Sequence, residues 1–438
     1  MLIANDPIAT KSNGMMKTSF RAVRFRHTHL LALAWLAVAS PGAARSQDIQ
    51  MGPVGPGPSG GSSDREFIKE WEGNPPPGFP TLASANVAAT KAAIKRYEDI
   101  VKAGGWGIVP ELELAAGQTH FGVAALRKRL QISGDVKGAG WGADDWFDST
   151  LETGVKRFQA TNGLTPTGIL DKRTAQALNV PAEWRLKQLK INVGRLQDYT
   201  GLDKKRYVAV NVPSAQVEAV EGTRVVQRYT GVVGKPERPT PLLRSAISQM
   251  NFNPVWRLPP TVVSKDLIPR GREMQSAGKN VLVKFGIDAY DGSGKKLDPE
   301  KIDWSGSQPS GLSYSQQPGK ENPLGFLKIN FNSAESVYMH DTPSETLFGR
   351  NFRAASSGCI RVHNIEQLAL WLLRDNGGWT EDRVQDMKAS GKRQDVSLKK
   401  PVPLYFTYIT AWATEDGAIQ FRRDLYNRDG VGETAGAY

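Results

Sequence analysis

Chemistry in this chain has to be built around one thiol. Cys359 is the sole cysteine among 438 residues. It stands in "AASSGCIRVHN" (354–364), after two serines and a glycine and before an arginine, a histidine and an asparagine. A lone cysteine cannot close an internal disulfide. Its bland role is that of a small buried hydrophobe, and its reactive role is that of a nucleophile. A thiol becomes a useful nucleophile when a neighbour lowers its pKa or takes its proton, and histidine is the usual neighbour. The chain has 5 histidines: His27, His29, His120, His340 and His363. The first two belong to an N-terminal leader and His120 to a helical region, which leaves two candidates. His363 lies four residues beyond Cys359; on a strand the pair would share a face yet stand too far apart for a hydrogen bond. His340 closes the strand-like run "SVYMH" (336–340), and a loop leads from it to the cysteine. His340 therefore ranks above His363 as the base.

These residues need a β scaffold, and the pattern supplies one from Tyr207 on. "YVAVNV" (207–212), "QVEAVE" (216–221) and "VVQRYTGVVG" (225–234) read as strands, as do "LGFLKINF" (324–331), "SVYMH" and "PVPLYFTYITAW" (401–412). "NSAE" (332–335) is the turn between two of them. "RVHNIEQLALWLLRDNGG" (361–378) predicts a helix with Leu368, Trp371 and Leu372 as its apolar stripe. Asn364 is its expected cap, Gln367 the capping-box partner, and Gly377 its end. Cys359 thus falls in a turn before a strand-like step and a helix. Between "NPVWRLPP" (253–260) and Leu324, about 60 residues rich in Gly, Ser, Lys and Asp form an insertion, 261–323, of the long irregular kind that is commonly a functional lid.

The first half reads differently. Lys17, Arg21, Arg24 and Arg26 precede the short apolar core "LLALAWLAVA" (30–39), and the small residues "AARS" (43–46) follow. That order is a secretory signal over 1–46 and predicts export to the periplasm, with no stable membrane span after cleavage. Pro, Gly and Ser dominate "MGPVGPGPSGGSS" (51–63) and "GNPPPGFP" (73–80), so 47–83 is expected to be a disordered linker. Residues 84–200 are helical, with Val87, Ile94, Tyr97 and Val101 as the first stripe. Within them, about 121–180 forms a compact unit carrying Val123, Leu126 and Leu130 on one helix and Leu151, Val155 and Phe158 on the next. Thr174 and Leu178 lie on a third. "EWRLKQLKINVGRLQ" (183–197) is a connecting helix, 206–412 the β domain, and 413–438 a C-terminal tail. The formal charge is +12, of which the leader's six Lys/Arg and one Asp take +5, leaving +7. A mild basic surplus suits a polyanionic envelope surface or plain solubility. No nucleic-acid-binding motif is present.

Two stretches carry family resemblances. "LRKRLQISG" and "VKRFQATNGL" resemble the peptidoglycan-binding module of cell-wall hydrolases, with "DVKGAGWGADDW" (135–146) as a longer loop. "YMHDTPSETLFGRNFRAASSGCIRV" resembles the catalytic signature of the YkuD-type L,D-transpeptidases, from about Tyr207 to Trp412. The "HDTP" and "SSGC" forms, the insertion and the preceding module resemble its YcbB-like branch. Ser357 stands where many members have histidine. The implied fold is multidomain α+β: a small helical peptidoglycan-binding-like module plus a mainly β L,D-transpeptidase catalytic domain with an inserted lid.

The resemblance implies Cys359 as nucleophile and His340 as base. The N–H of Cys359, with that of Gly358, would form the oxyanion hole, and Arg361 would position substrate or brace the site. Its other reading is a structural salt bridge. Tyr338 and Ser357 would line the site, and Arg353 would contact substrate. The implied reaction is acyl transfer from a tetrapeptide stem through a thioester, with release of D-Ala and formation of 3→3 cross-links. It needs no metal and no other cofactor. Its partners are peptidoglycan stem peptides and glycan. Papain-like and NlpC/P60-type peptidases place the cysteine before the histidine, the opposite of the order here. Two other readings stand: a carboxypeptidase or hydrolase using the same site, and a non-catalytic wall-binding scaffold.

Overall fold

Helices come first. The computed structural model describes residues 75–138 and 144–430. The expected leader, most of the expected linker and residues 139–143 of the long loop lie outside the described residues. Five helices precede the β domain: α1 Ala85–Lys102, α2 Gly122–Ser133, α3 Ser149–Thr161, α4 Lys172–Leu178 and α5 Ala182–Gln197. Helices α2–α4 make the small module, because their apolar stripes meet. Val123, Leu126, Leu130, Leu151, Val155, Phe158 and Leu178 share one buried core. Local chemistry sets the ends. The Asp148 carboxylate accepts from the Leu151 N–H at 2.7 Å, Asp171 accepts from the Thr174 N–H at 2.7 Å, and Gly134 closes α2 in the left-handed region. The phase of α1 differs from expectation. Its buried residues are Asn86, Thr90, Ala93 and Tyr97. Two of these are polar and so escape a hydrophobic count; Asn86 donates to the carbonyls of Pro80 and Thr81, and Thr90 accepts from the Ala413 N–H.

The β domain is a sheet closed on itself. Its strands are β1 Arg206–Asn211, β2 Gln216–Glu221, β3 Arg224–Gly234 and β4 Leu243–Phe252. Strand β5 Trp256–Arg257 precedes the insertion, which contributes helices α6 Ile268–Ser276 and α7 Val281–Phe285, β6 Ile287–Tyr290 and β7 Ser313–Gln316. Then come β8 Leu327–Phe331, β9 Met339–His340, β10 Ala354–Ser356, β11 Ile360–Val362, helices α8 Ile365–Leu373 and α9 Glu381–Ser390, and β12 Gln394–Thr407. The order β3-β11-β9-β8-β4-β12-β1-β2 closes because β2 also pairs with β3; β10 adds to β3 in parallel. Period-2 burial fills the interior with Val208, Val210, Met250, Leu327, Ile329, Met339, Ile360 and Phe406, and α8 seats Leu368 and Leu372 on the same core. The strand read over 336–340 shortens to its last two residues. The insertion, expected to be irregular, has its own sheet in the order β5-β7-β6 and a core around Leu267, Met274, Leu282, Trp304 and Tyr314. Elements of four to nine residues leave little periodicity to read.

Three expectations are corrected. Asn364 takes a left-handed conformation and makes no side-chain cap; its carbonyl accepts from the Gln367 N–H, while the Gln367 side chain reaches Glu381. Residues 75–83, assigned to the linker, are seated: Leu82 is buried, and Thr81 gives its N–H and hydroxyl to Glu218, which also pairs with Arg228. Residues 413–430, assigned to the tail, belong to the body. Strands β13 Ala411–Ala413 and β14 Ile419–Phe421 form a hairpin whose core is shared with α1 and α5.

Beyond the hairpin, Asp424 and Asp429 are buried because partners surround them. Asp424 accepts from the Tyr408 hydroxyl at 2.6 Å. Asp429 accepts from Thr410 at 2.5 Å and pairs with Arg195 of α5 at 2.7 Å. A run as polar as "FRRDLYNRD" looks like a tail until these partners are known. A chain ending at residue 412 would strand several buried polar groups, each at roughly 1–3 kcal/mol, against a net stability of about 5–15 kcal/mol. Its cooperative thermal melt is expected to be lost. A sharp melt at the wild-type temperature would show the segment to be dispensable.

Candidate active site

Register assembles the site. Strand β9 runs antiparallel to β8 and parallel to β11, which pairs Lys328 with His340 and His340 with Arg361 in one row across three strands. Met339 and Ile360 are paired in the next row and are fully buried in the core. Because side chains alternate, Tyr338, His340, Cys359 and Arg361 point to the opposite face. Cys359 falls beside Tyr338, whose own N–H and hydroxyl both reach the thiol. Cys359 and His340 are thus diagonal neighbours on adjacent strands, a relation that places Cα atoms roughly 7–8 Å apart and long side chains within reach.

His340 is 5% exposed. Its Nδ1 lies against the carbonyl of Asp341, and the carbonyl of Pro323 also faces the ring. A carbonyl only accepts, so Nδ1 carries the proton of the neutral ring and Nε2 keeps the lone pair. Burial, then the charges of Arg361 and Lys328, push the His340 pKa down to about 3. Burial pushes the Cys359 thiol above its ordinary value of 9.0, although the Tyr338 donors, Lys328 and Arg361 pull the other way. The resting pair at neutral pH is a thiol and a neutral imidazole.

The loop that carries the thiol is held from three sides. Ser356 Oγ donates to the carbonyl of Cys359 at 2.6 Å and accepts from the Gly358 N–H at 3.1 Å. Thr240 donates to the Gly358 carbonyl at 2.9 Å, and Tyr426 in turn holds Thr240 and Gly234. Gly358 has φ +116°, a conformation that side chains rarely adopt, so glycine is required there by the backbone. A second glycine matters on the other side. At Gly325, φ +59°, an added Cβ would come within 2.1 Å of the Asp341 carboxylate, which accepts from the Phe326 N–H and holds the turn after His340.

The expected residues now have places. The Gly358 N–H, expected in the oxyanion hole, donates to Ser356 Oγ at 3.1 Å. Among the described residues the Cys359 N–H has no acceptor. Arg361 makes no ion pair among the described residues and its Nε has no partner, which removes the salt-bridge reading. Tyr338 lines the site: its hydroxyl accepts from Trp256 of β5 at 3.2 Å and its ring meets His340 at 5.6 Å. Ser357 is exposed and accepts from Arg238 at 2.9 Å; Arg238 is also clamped by both carboxylate oxygens of Asp266 in the insertion. Arg353 is not at the thiol. It donates to the carbonyls of Arg350 and Ser214 and lines a cleft of about 640 Å³ with Gly163 and Asp171 of the helical module. His363 lies against Phe348 and His120 stacks on Phe121, both away from Cys359. Lys328, Ser356, Thr240 and Asp341 were given no role in sequence reasoning; the signals were Lys328 as the polar step of "LGFLKINF", Ser356 in "SSGC" and Asp341 in "HDTP".

The loop-borne thiol and the imidazole on β9 define a class. Residues 205–402 match the family described as "L,D-transpeptidase catalytic domain", of the YkuD type, and residues 119–178 match the "Putative peptidoglycan binding domain". The chain contains both domains. A "Putative L,D-transpeptidase" of Haemophilus influenzae is 33% identical over 222 residues, which is 51% of this chain and 44% of that protein. The chain therefore matches less than half the length of this relative. Solved L,D-transpeptidases from Xylanimonas cellulosilytica (16% identity, 68% of this chain, 98% of that one, TM-score 0.23) and Stackebrandtia nassauensis (12%, 68%, 95%, TM-score 0.27) are also similar. At such scores the likeness carries no argument. Among the described residues no helix is long and apolar enough to cross a membrane.

Proposed function

We propose that the protein is a peptidoglycan L,D-transpeptidase of the YcbB-like branch, exported to the periplasm by its leader. The observation that carries this reading is the register that sets His340 of β9 diagonal to Cys359, the residue before β11, inside the matched domain. As Cys359 Sγ attacks the carbonyl carbon of residue three in a tetrapeptide stem, His340 Nε2 takes the thiol proton. The Cys359 N–H donates to the developing oxyanion. The C–N bond then breaks, and the imidazolium returns the proton to the departing D-Ala amine. An acceptor amine attacks the thioester and regenerates the thiol. With a diaminopimelate side chain as acceptor, the product is a 3→3 cross-link. Mass spectrometry of purified disaccharide-tetrapeptide after incubation with the mature protein tests this. Dimer formation with loss of D-Ala is expected; D-Ala loss without dimer, even with added amine, would make the protein a carboxypeptidase.

The insertion is proposed as a lid that keeps water from the thioester. Two contacts support it: Trp256 of β5, the strand that pairs with β7 of the insertion, donates to Tyr338, and Arg238 bridges Asp266 of the insertion to Ser357, two residues before the nucleophile. An ion pair this exposed contributes only about 0–1 kcal/mol to stability, so Asp266→Ala should fold. Its ratio of hydrolysis to transfer is expected to rise several-fold. An unchanged ratio would make the insertion a surface decoration.

A further inference from the structure

The row that holds the base has two cations and no anion. His340 stands in register between Lys328 and Arg361, and neither cation belongs to an ion pair among the described residues. Lys328 instead places its ammonium 4.3 Å from the centre of the Tyr338 ring, and the Nε of Arg361 is buried without a partner. Arg257 of β5 adds a third positive charge that Lys328 feels. The acidic groups acting on Lys328 are first Cys359, which also acts on Arg361 and rests as the neutral thiol, and then Asp395, itself occupied by Asn251 at 2.8 Å and by Arg393 at 3.8 Å. Like charges gathered around a buried neutral ring are unfavourable unless something negative arrives.

We infer that Lys328 and Arg361 form a recognition site for a carboxylate of the donor peptide. This rests on the transpeptidase reading for the donor's identity. The scissile carbonyl must lie at Cys359, two residues along the strand from Arg361 and on the same face. The carboxylate of the departing residue is separated from that carbonyl by one nitrogen and one Cα, which leaves the long side chains of Lys328 and Arg361 to close the remaining distance. A second carboxylate, at the tip of a dicarboxylic residue-three side chain, has the same chemistry and a longer reach. Binding either one neutralises the two charges that, after burial, hold His340 unprotonated. The base becomes stronger when a donor is in place, which links recognition to proton transfer.

Binding can be read without turnover, in the Cys359→Ala protein, by titration calorimetry with three synthetic tetrapeptides. One has all carboxylates free, one an amidated C-terminus, and one an amidated residue-three side chain. The free acid is expected to bind on the order of 10- to 100-fold more tightly than one of the amides, as charge-assisted hydrogen bonds allow. Which amide binds weakly identifies the carboxylate. Adding Lys328→Met should bring acid and amide together, and Lys328→Arg should restore the difference. Equal affinities for all three peptides in the Cys359→Ala protein, or a preference that survives Lys328→Met, would overturn the inference. A protein that prefers the acid in this way, while the wild type releases no D-Ala from it, would keep the recognition site and refute the transpeptidase reading.

Discussion

Cys359→Ala is expected to abolish D-Ala release and cross-linking while leaving the fold in place. The thiol is half-buried, and its contacts are the Tyr338 N–H and hydroxyl. Losing it removes one heavy atom at the mouth of the site and strands little else. The loop is fixed by backbone contacts through Ser356 and Thr240, which do not involve the sulfur. Thermal midpoint and circular dichroism should therefore match the wild type. The rate should fall by a factor on the order of 10³ or more, because a covalent path through a thioester has no substitute nucleophile. Cys359→Ser should be nearly as inactive: an alcohol is far harder to deprotonate, and the resting imidazole is a weak base. Turnover surviving in the alanine variant would remove the mechanism altogether.

What sequence could supply was residue type and period. "SVYMH" put His340 at a strand end, and the lone cysteine needed a base, so the candidate pair was legible and the register sets the two residues on neighbouring segments. The alternation of "LGFLKINF" likewise put Lys328 on the polar face of its strand. That Lys328 lies opposite His340 was not legible, because register between β8 and β9 is decided by packing of Leu327, Ile329 and Met339 on a common core. Arg353 shows the same limit from the other side. Six residues from Cys359 in sequence, it belongs to the junction with the helical module, since the chain between them bends through β10 at the edge of β3. The nucleophile loop is supported by Tyr426, nearly seventy residues further on, and a support made of single hydrogen bonds leaves no periodic trace.

His340→Ala should cost a factor on the order of 10²–10⁴ in rate, the usual worth of a placed general base, whereas His363→Ala should change the rate little. His363 sits beyond the paired row, its N–H given to Thr230 and its ring on Phe348. The reverse ranking would show the wrong histidine to be the base. The acid limb of kcat/KM separates the readings further. With the imidazole held down to about 3 and the thiol pushed up, the reactive pair persists across pH 5–8. The free enzyme should therefore show no inflection near 6.5; one found there would mean that burial and the neighbouring charges of Arg361 and Lys328 do not hold the ring neutral. Stability gives the same answer without substrate. Between pH 6.5 and about 3 the unfolded chain binds a proton at this histidine and the folded chain does not, so stability falls as pH falls through that window. The loss is roughly 1.4 kcal/mol for each unit of pH. Replacing the ring by an amide, His340→Gln, removes the titrating group and should flatten that part of the stability profile. An unchanged acid slope would place the sensitive group elsewhere.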